Sequence, residues 1–150
     1  MTTIMPYEYR TKRRVEFADT DTAGVVHFSN FFKYMEMAEH EFFRWLGLSV
    51  HAAVDGRTIS WPRVRAECTY RVPVRFEEEL DVHLVVREKR TKSVTYDFRF
   101  FNQRKTLVAR GSVTAVCASL DPVTGQFAAI PIPEFIDEKI EAAPAQLLAS

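Results

Sequence analysis

The sequence predicts an α+β fold in which one long amphipathic helix lies against one antiparallel sheet. Three observations point there: a single strong helical period from Phe28 to Leu46, alternating stretches on both sides of it, and hairpin-sized links between the later ones. The order of strand, helix and then four strands lacks the regular strand–helix alternation of a parallel nucleotide-binding sheet.

Between Tyr7 and Phe17, the residues Tyr7, Tyr9, Val15 and Phe17 share one alternating face, while Glu8, Arg10, Lys12, Arg14 and Glu16 share the other. A half-buried strand is expected. In "SNFFKYMEMAEHEFFRWLGL", Phe28, Phe31, Phe32, Met35, Ala38, Phe42 and Leu46 recur at helical spacing, with Lys33, Glu36, His40 and Arg44 on another face. Ser29 or Asn30 suits the cap of the first turn and Gly47 the left-handed position beyond the last, giving a helix of about 17 residues and roughly 25 Å. After a loop containing "DGR", Val64, Ala66, Cys68, Tyr70 and Val72 alternate with Arg63, Arg65, Glu67, Thr69 and Arg71. Leu80, Val82, Leu84 and Val86 make the next strand, Val94, Tyr96, Phe98 and Phe100 another, and Leu107 to Ala118 the last. The links "EKRTKS" and "NQRK" suit hairpins, so the four later strands are expected to form a meander.

A chain of 150 residues with 47% hydrophobic residues, twelve Phe and two Trp can build a core without staples. Residues 1–150 read as one domain, with its core over about 7–120 and a C-terminal extension over about 121–150 that ends in "EAAPAQLLAS". No stretch approaches the eighteen or so apolar residues of a membrane span, and "MTTIMPYEYRTKRR" lacks the order of a signal peptide, so a cytoplasmic protein without membrane insertion is expected. Cys68 and Cys117 lie far apart in strand-like runs, which reads as small buried hydrophobes in a reducing compartment. Twenty basic against twenty acidic residues leave no net field for nucleic acid.

The stretch "DTDTAGVVHFSN", Asp19 to Asn30, carries the chemistry. As a calcium loop it fails, since Ala23 and Asn30 stand where an oxygen ligand and a bidentate acid belong. Its D-x-D-x-T pattern resembles that of aspartyl-phosphate phosphatases, but the parallel sheet they need is missing. Asp19, Asp21 and His27 could ligate a metal, although no spacing signature supports it. On spacing alone, the two acids equally well organise a turn and the start of the helix.

The run "VEFADTDTAGVVHFSNFFKYMEMAEHEFFRWLGL" resembles the signature of the hotdog-fold acyl-CoA thioesterases of the 4-hydroxybenzoyl-CoA thioesterase family, including the Tol-Pal-associated branch. The pattern is a strand ending in an aromatic residue, then D-x-D-x-x-G-[VI]-V, two bulky residues, a small one, N-[FY] and a long helix. Weaker similarity continues through "YRVPVRFEEELDV", "REKRTKSVTYDFRF" and "LVARGSVTAVCASLDPVTG". The resemblance implies a hotdog fold, one long helix wrapped by a five-stranded antiparallel sheet whose later strands need not neighbour one another in chain order.

It also implies hydrolysis of a thioester to a free carboxylic acid and CoA, with no metal or organic cofactor. By position Asp21 becomes the catalytic carboxylate, as nucleophile or general base, and Asp19 a turn-organising residue. The backbone amide of Phe28 becomes the oxyanion donor, a role that suits the unpaired N–H groups at a helix N-terminus. Gly24, Val25, His27 and Asn30 fall in the substrate-binding stretch, His27 standing where relatives carry an aromatic residue. Glu77 and Glu78 replace the family's Gly-Asp turn. Among Glu36, Glu39 and Glu41 a second acid is conceivable, but a solvated helix face is the simpler expectation. For the phosphates of CoA, "REKRTKS" offers Arg87, Lys89, Arg90, Lys92 and Ser93. The resemblance further implies a homodimer or homotetramer with sites at the subunit interface. Two alternatives stand beside hydrolysis of acyl-CoA: a thioesterase acting on acyl-carrier-protein substrates, and a non-catalytic acyl-CoA-binding protein.

Overall fold

The structure, a computed structural model, describes residues 5–149. In chain order its elements are β1 (Glu8–Arg14), a 3-10 turn (Phe17–Asp19), α1 (Asn30–Trp45), β2 (Ala52–Val54), β3 (Arg57–Ser60), β4 (Arg63–Tyr70), β5 (Glu79–Lys89), β6 (Ser93–Phe101), β7 (Leu107–Val116), β8 (Ala118–Leu120), β9 (Phe127–Ala129), α2 (Glu134–Asp137) and α3 (Ala145–Leu148). Five strands form the main sheet in the order β1-β5-β6-β7-β4, with every neighbouring pair antiparallel.

The expected meander is corrected at one point. β5, β6 and β7 do follow one another by hairpins, but β4 pairs with β7 and not with β5. Alternation in a sequence fixes which face a strand buries, not which strand lies beside it. The last alternating run also breaks, because β7 ends at Val116 and β8 turns away into a second sheet of order β2-β3-β8-β9. Cys117 sits buried at that break, and burial pushes its thiol up to about 11.

α1 lays Phe31, Tyr34, Met35, Ala38, Phe42, Phe43 and Leu46 on the core face of the sheet, opposite Leu80, Val82, Leu84 and Val86 of β5 and Val94, Tyr96, Phe98 and Phe100 of β6. Each such large side chain contributes roughly 1.5–3 kcal/mol by leaving water. β7 makes room for the helix by presenting small residues. Its core-facing register holds Ala109, Gly111, Val113 and Ala115 opposite Phe100, Phe98, Tyr96 and Val94. A Cβ built on Gly111 would stand 2.1 Å from Met35 Cε and 3.2 Å from the Glu67 carbonyl oxygen. Close helix–sheet approach therefore requires glycine there.

Phe17 and Phe28 leave their expected faces. Phe17 opens the 3-10 turn, exposed, with its ring 6.0 Å from that of Phe76. Phe28 precedes α1 and is 61% exposed.

The C-terminal extension covers the end of the core. Ile132, Ile136 and Ile140 join the same buried cluster as α1. Ala143 N–H donates to the Val86 carbonyl at 2.8 Å, and Lys89 Nζ donates to the carbonyls of Asp137 at 2.9 Å and Ile140 at 2.7 Å. Lys89 is thereby committed to the extension and not offered to a phosphate. On the outer face of β5, buried His83 pairs through Nε2 with Glu8 at 2.8 Å, and burial outweighs that partner to lower its pKa.

Gly111→Val is expected to cost about 1–3 kcal/mol by overpacking against Met35, read as a fall in Tm of several degrees with unchanged oligomeric state. Burial lowers the pKa of His83 in the fold, so the unfolded chain binds its proton more readily. Stability from this group is present above about pH 6.5 and lost as the pH falls through the lowered folded pKa. Tm measured from pH 7 to pH 5 should fall less steeply in His83→Gln than in the unmodified protein.

Candidate active site

The loop that connects β1 to α1 is built by its two aspartates in different ways. Asp19 is the tether: its Oδ2 accepts from Glu16 N–H at 3.0 Å and from Tyr34 O–H at 2.9 Å, closing the 3-10 turn and binding it to α1. Its carbonyl accepts from Asn30 Nδ2 at 2.7 Å and from His27 N–H at 2.9 Å. Burial, aided by the Asp19 carboxylate, raises the Tyr34 phenol above its ordinary range. Asn30, expected in the binding stretch, is buried and spends its side chain on this tether.

Asp21 closes a tight turn of its own. Its Oδ1 accepts from Ala23 N–H at 2.8 Å and Val25 N–H at 3.4 Å, while its carbonyl accepts from Gly24 N–H at 3.0 Å. Gly24 sits at φ +79°, which the turn demands and a side chain resists. The turn is docked on the sheet by Val26 N–H to the Val74 carbonyl at 2.8 Å. The second carboxylate oxygen takes no hydrogen bond from the described residues.

The start of α1 differs from the expected cap. Ser29 holds the N-cap position, but its side chain makes no capping bond and instead meets His27 Nδ1 at 2.8 Å. The N–H groups of Asn30, Phe31 and Phe32 turn back to the carbonyls of His27, Phe28 and Ser29. Among the described residues, Phe28 N–H has no acceptor. Tyr70 pins this turn to β4 by donating to the Phe28 carbonyl at 3.0 Å, and burial pushes its own pKa up to about 12.

Asp21, Val25, Val26, Phe28, Phe31, Tyr70, Arg71, Val72, Pro73 and Val74 line one cavity of about 420 Å³. Asp21 and Phe28, the residue before the cap of α1, thus line one mostly apolar chamber, an arrangement compatible with attack on an acyl carbon. His27 is not among its walls. The imidazole stacks on Phe28 at 4.6 Å and accepts from Ser29 N–H, so its interactions are local. Asp19, Asp21 and His27 do not converge, and among the described residues no three acidic, histidine or cysteine side chains gather as metal ligands.

Arg90 and Ser93 line a separate groove of about 630 Å³ on the outer sheet face, with Arg65, Arg71, Arg87 and Arg110. Lys92 is exposed and outside that lining. Arg71 belongs to both hollows. Arg87 is paired with buried Asp97, and Arg90 with Glu88.

One acid overturns the expectation of a solvated helix face. Glu39 is 3% exposed and held by both terminal nitrogens of Arg63, the Nη1–Oε2 bond being 2.8 Å. Its spacing carried the signal, since Glu39 follows Phe32 by seven residues and Met35 by four and therefore shares their stripe. Glu36 is exposed as expected. Tyr70 gave no such sign, because its partner is a backbone carbonyl forty-two residues away.

Comparison with known proteins adds an independent finding. The profile of the thioesterase-like superfamily matches residues 15–140. The acyl-CoA thioester hydrolase YbgC of Escherichia coli O157:H7 is 28% identical over 123 residues, covering 82% of this chain and 90% of that protein. A solved gentisyl-coenzyme A thioesterase shares 30% identity, with TM-score 0.75 over 86% of this chain and 99% of the other. The 4-hydroxybenzoyl-CoA thioesterase of Pseudomonas sp. strain CBS-3, at 22% identity and TM-score 0.75 over 88% of this chain and 98% of its own, shares the hotdog fold.

Removing the tether without touching the turn of Asp21 separates the two aspartates. Asp19→Ala should cost about 2–4 kcal/mol, since it leaves Tyr34 O–H and Glu16 N–H without their acceptor, and urea unfolding measures the loss.

Proposed function

The chain belongs to the thioesterase-like superfamily, and we propose from that premise how its site works as an acyl-CoA thioesterase. The substrate thioester enters the cavity shared by Asp21 and Phe28. The carbonyl oxygen takes a hydrogen bond from Phe28 N–H, where the positive end of α1 favours the charge that develops as the carbon becomes tetrahedral. Asp21 then acts by one of two routes. As nucleophile, its free carboxylate oxygen bonds to the carbonyl carbon, the carbon–sulfur bond breaks, CoA leaves as thiolate, and water cleaves the mixed anhydride. As general base, it takes a proton from the water that makes the same attack.

The observation that carries this reading is the division of labour at Asp21. One carboxylate oxygen is engaged by the turn and the other takes no hydrogen bond from the described residues, while Asp21 lines the same cavity as Phe28, whose N–H has no acceptor among the described residues. Gly24 and Val25 shape that turn, and His27 flanks the mouth through Phe28. Arg90, Lys92 and Ser93 are assigned to CoA phosphates at the rim of the outer groove, with Arg71 joining the groove to the cavity. The chain acts as one domain in a homodimer or homotetramer assembled along β4, whose outer edge no other strand covers among the described residues. Among the described residues no helix is long and apolar enough to cross a membrane. We assign the enzyme to the cytoplasm.

Asp21→Asn keeps an oxygen for the turn and removes the charge, so release of free thiol from acyl-CoA should fall about a hundredfold or more while Tm and oligomeric state hold. Turnover equal to the unmodified enzyme would remove Asp21 from the mechanism.

A further inference from the structure

The residue assigned as oxyanion donor sits where the fold holds its backbone weakly. Ser29, at the N-cap of α1, makes no side-chain capping bond, and the bond that turns Phe31 N–H back to the Phe28 carbonyl is long, at 3.4 Å. Helix starts without a cap fray. Phe28 is also exposed, so burial adds little to its hold.

Hydrogen bonds nevertheless flank the Phe28 N–H on both sides. Before it, His27 N–H donates to the Asp19 carbonyl at 2.9 Å, and the His27 carbonyl accepts from Asn30 N–H at 2.9 Å. That carbonyl belongs to the same peptide unit as the Phe28 N–H, and a carbonyl that accepts a bond makes its own N–H a stronger donor. After it, the Phe28 carbonyl accepts from the Tyr70 hydroxyl at 3.0 Å. The first two bonds come from the loop and from α1. The third comes from β4, forty-two residues away, and ties Phe28 to the main sheet.

The Tyr70 bond is built for geometry more than for stability. Tyr70 is 43% exposed, and water readily replaces an exposed phenol–carbonyl bond, so the net gain to the fold is small. Its ring stands edge-on to Phe31 at 5.3 Å and to Phe28 at 6.4 Å, which fixes the direction of the hydroxyl. With its pKa pushed up to about 12, the phenol keeps its proton and remains a donor at neutral and mildly alkaline pH. Tyr70 lines the same cavity as Asp21 and Phe28, so the tie lies in the wall of the site itself.

We propose that Tyr70 is a positioning residue for the reaction: by holding the Phe28 carbonyl from β4, it sets where the Phe28 N–H stands relative to the Asp21 carboxylate. The inference rests on the thioesterase reading. A donor displaced by a fraction of an ångström still admits the substrate but serves the developing oxyanion poorly, so the loss falls on kcat.

Tyr70→Phe keeps both ring contacts and removes the hydroxyl. Thiol release from acetyl-, butanoyl- and benzoyl-CoA should show kcat lowered about tenfold to a hundredfold, with KM within about twofold of the unmodified enzyme. Tm should stay within about 2 °C. A second readout needs no turnover. Ketone analogues of the same CoA esters, with CH2 in place of sulfur and 13C at the carbonyl, should show a lowered infrared carbonyl stretch when bound to the unmodified protein and a smaller shift in Tyr70→Phe. Unchanged kcat, a raised KM at unchanged kcat, an equal carbonyl shift in both proteins, or no shift in the unmodified one each overturns the proposal. A loss of activity that follows a lowered Tm and disappears on cooling also overturns it, because that marks a merely structural bond. A carbonyl shift that Tyr70→Phe reduces, with no thiol release from any thioester, keeps the role of Tyr70 and overturns hydrolysis instead.

Discussion

How near α1 can come to the sheet decides where everything else lies. The helix is sixteen residues long and apolar on the face turned inward, so hydrophobic burial presses it down. What limits the approach is the side chain beneath it. At Gly111 that side chain is absent, and Met35 occupies the space. The small residues of β7 and the large ones of β6 form a slope into which the helix settles, and the depth of that seat sets the height of the loop before it.

The loop inherits its position from the helix through Asp19. One carboxylate oxygen and one carbonyl bind four groups, two of them on α1. These bonds leave Asp21 in a turn whose geometry is fixed locally, two residues from a rigid anchor. A side chain on a loop keeps a fixed position only when the loop is tied to regular elements. Here the tie is made by Asp19, the other acid of the same motif.

Much of this was legible from the residues alone, for physical reasons. A helix with a 3.6-residue stripe and strands with a two-residue alternation announce themselves, because burial acts on each element separately. The pairing of β4 with β7 did not, since it depends on which edge lies free after the rest has folded. The family resemblance of "DTDTAGVVHFSN" singles out Asp21, and Gly24 takes the left-handed conformation that its turn requires. The sequence places Asn30 in the binding stretch and Ser29 or Asn30 at the helix cap; in the structure the Asn30 side chain donates to the Asp19 carbonyl and Ser29 meets the His27 ring. A solvated helix face is the simpler expectation for Glu39, yet its spacing puts it on the stripe that the structure buries. A carboxylate is an unusual choice there, and only its meeting with Arg63, twenty-four residues on, makes it tolerable.

The extension beyond β9 bears on the order in which the chain can fold. Ile136 and Ile140 are fully buried beside α1, Lys139 reaches the Leu46 carbonyl at 3.3 Å, and Glu141 N–H meets the Pro6 carbonyl at 3.0 Å. These contacts join segments far apart in sequence, which must be brought together at a cost in loop-closure entropy. During synthesis the helix and five strands emerge with one end of their core still open to water. The nascent chain cannot complete its interior until Ile132, Ile136 and Ile140 have left the ribosome, so apolar surface stays exposed at least until that segment is translated.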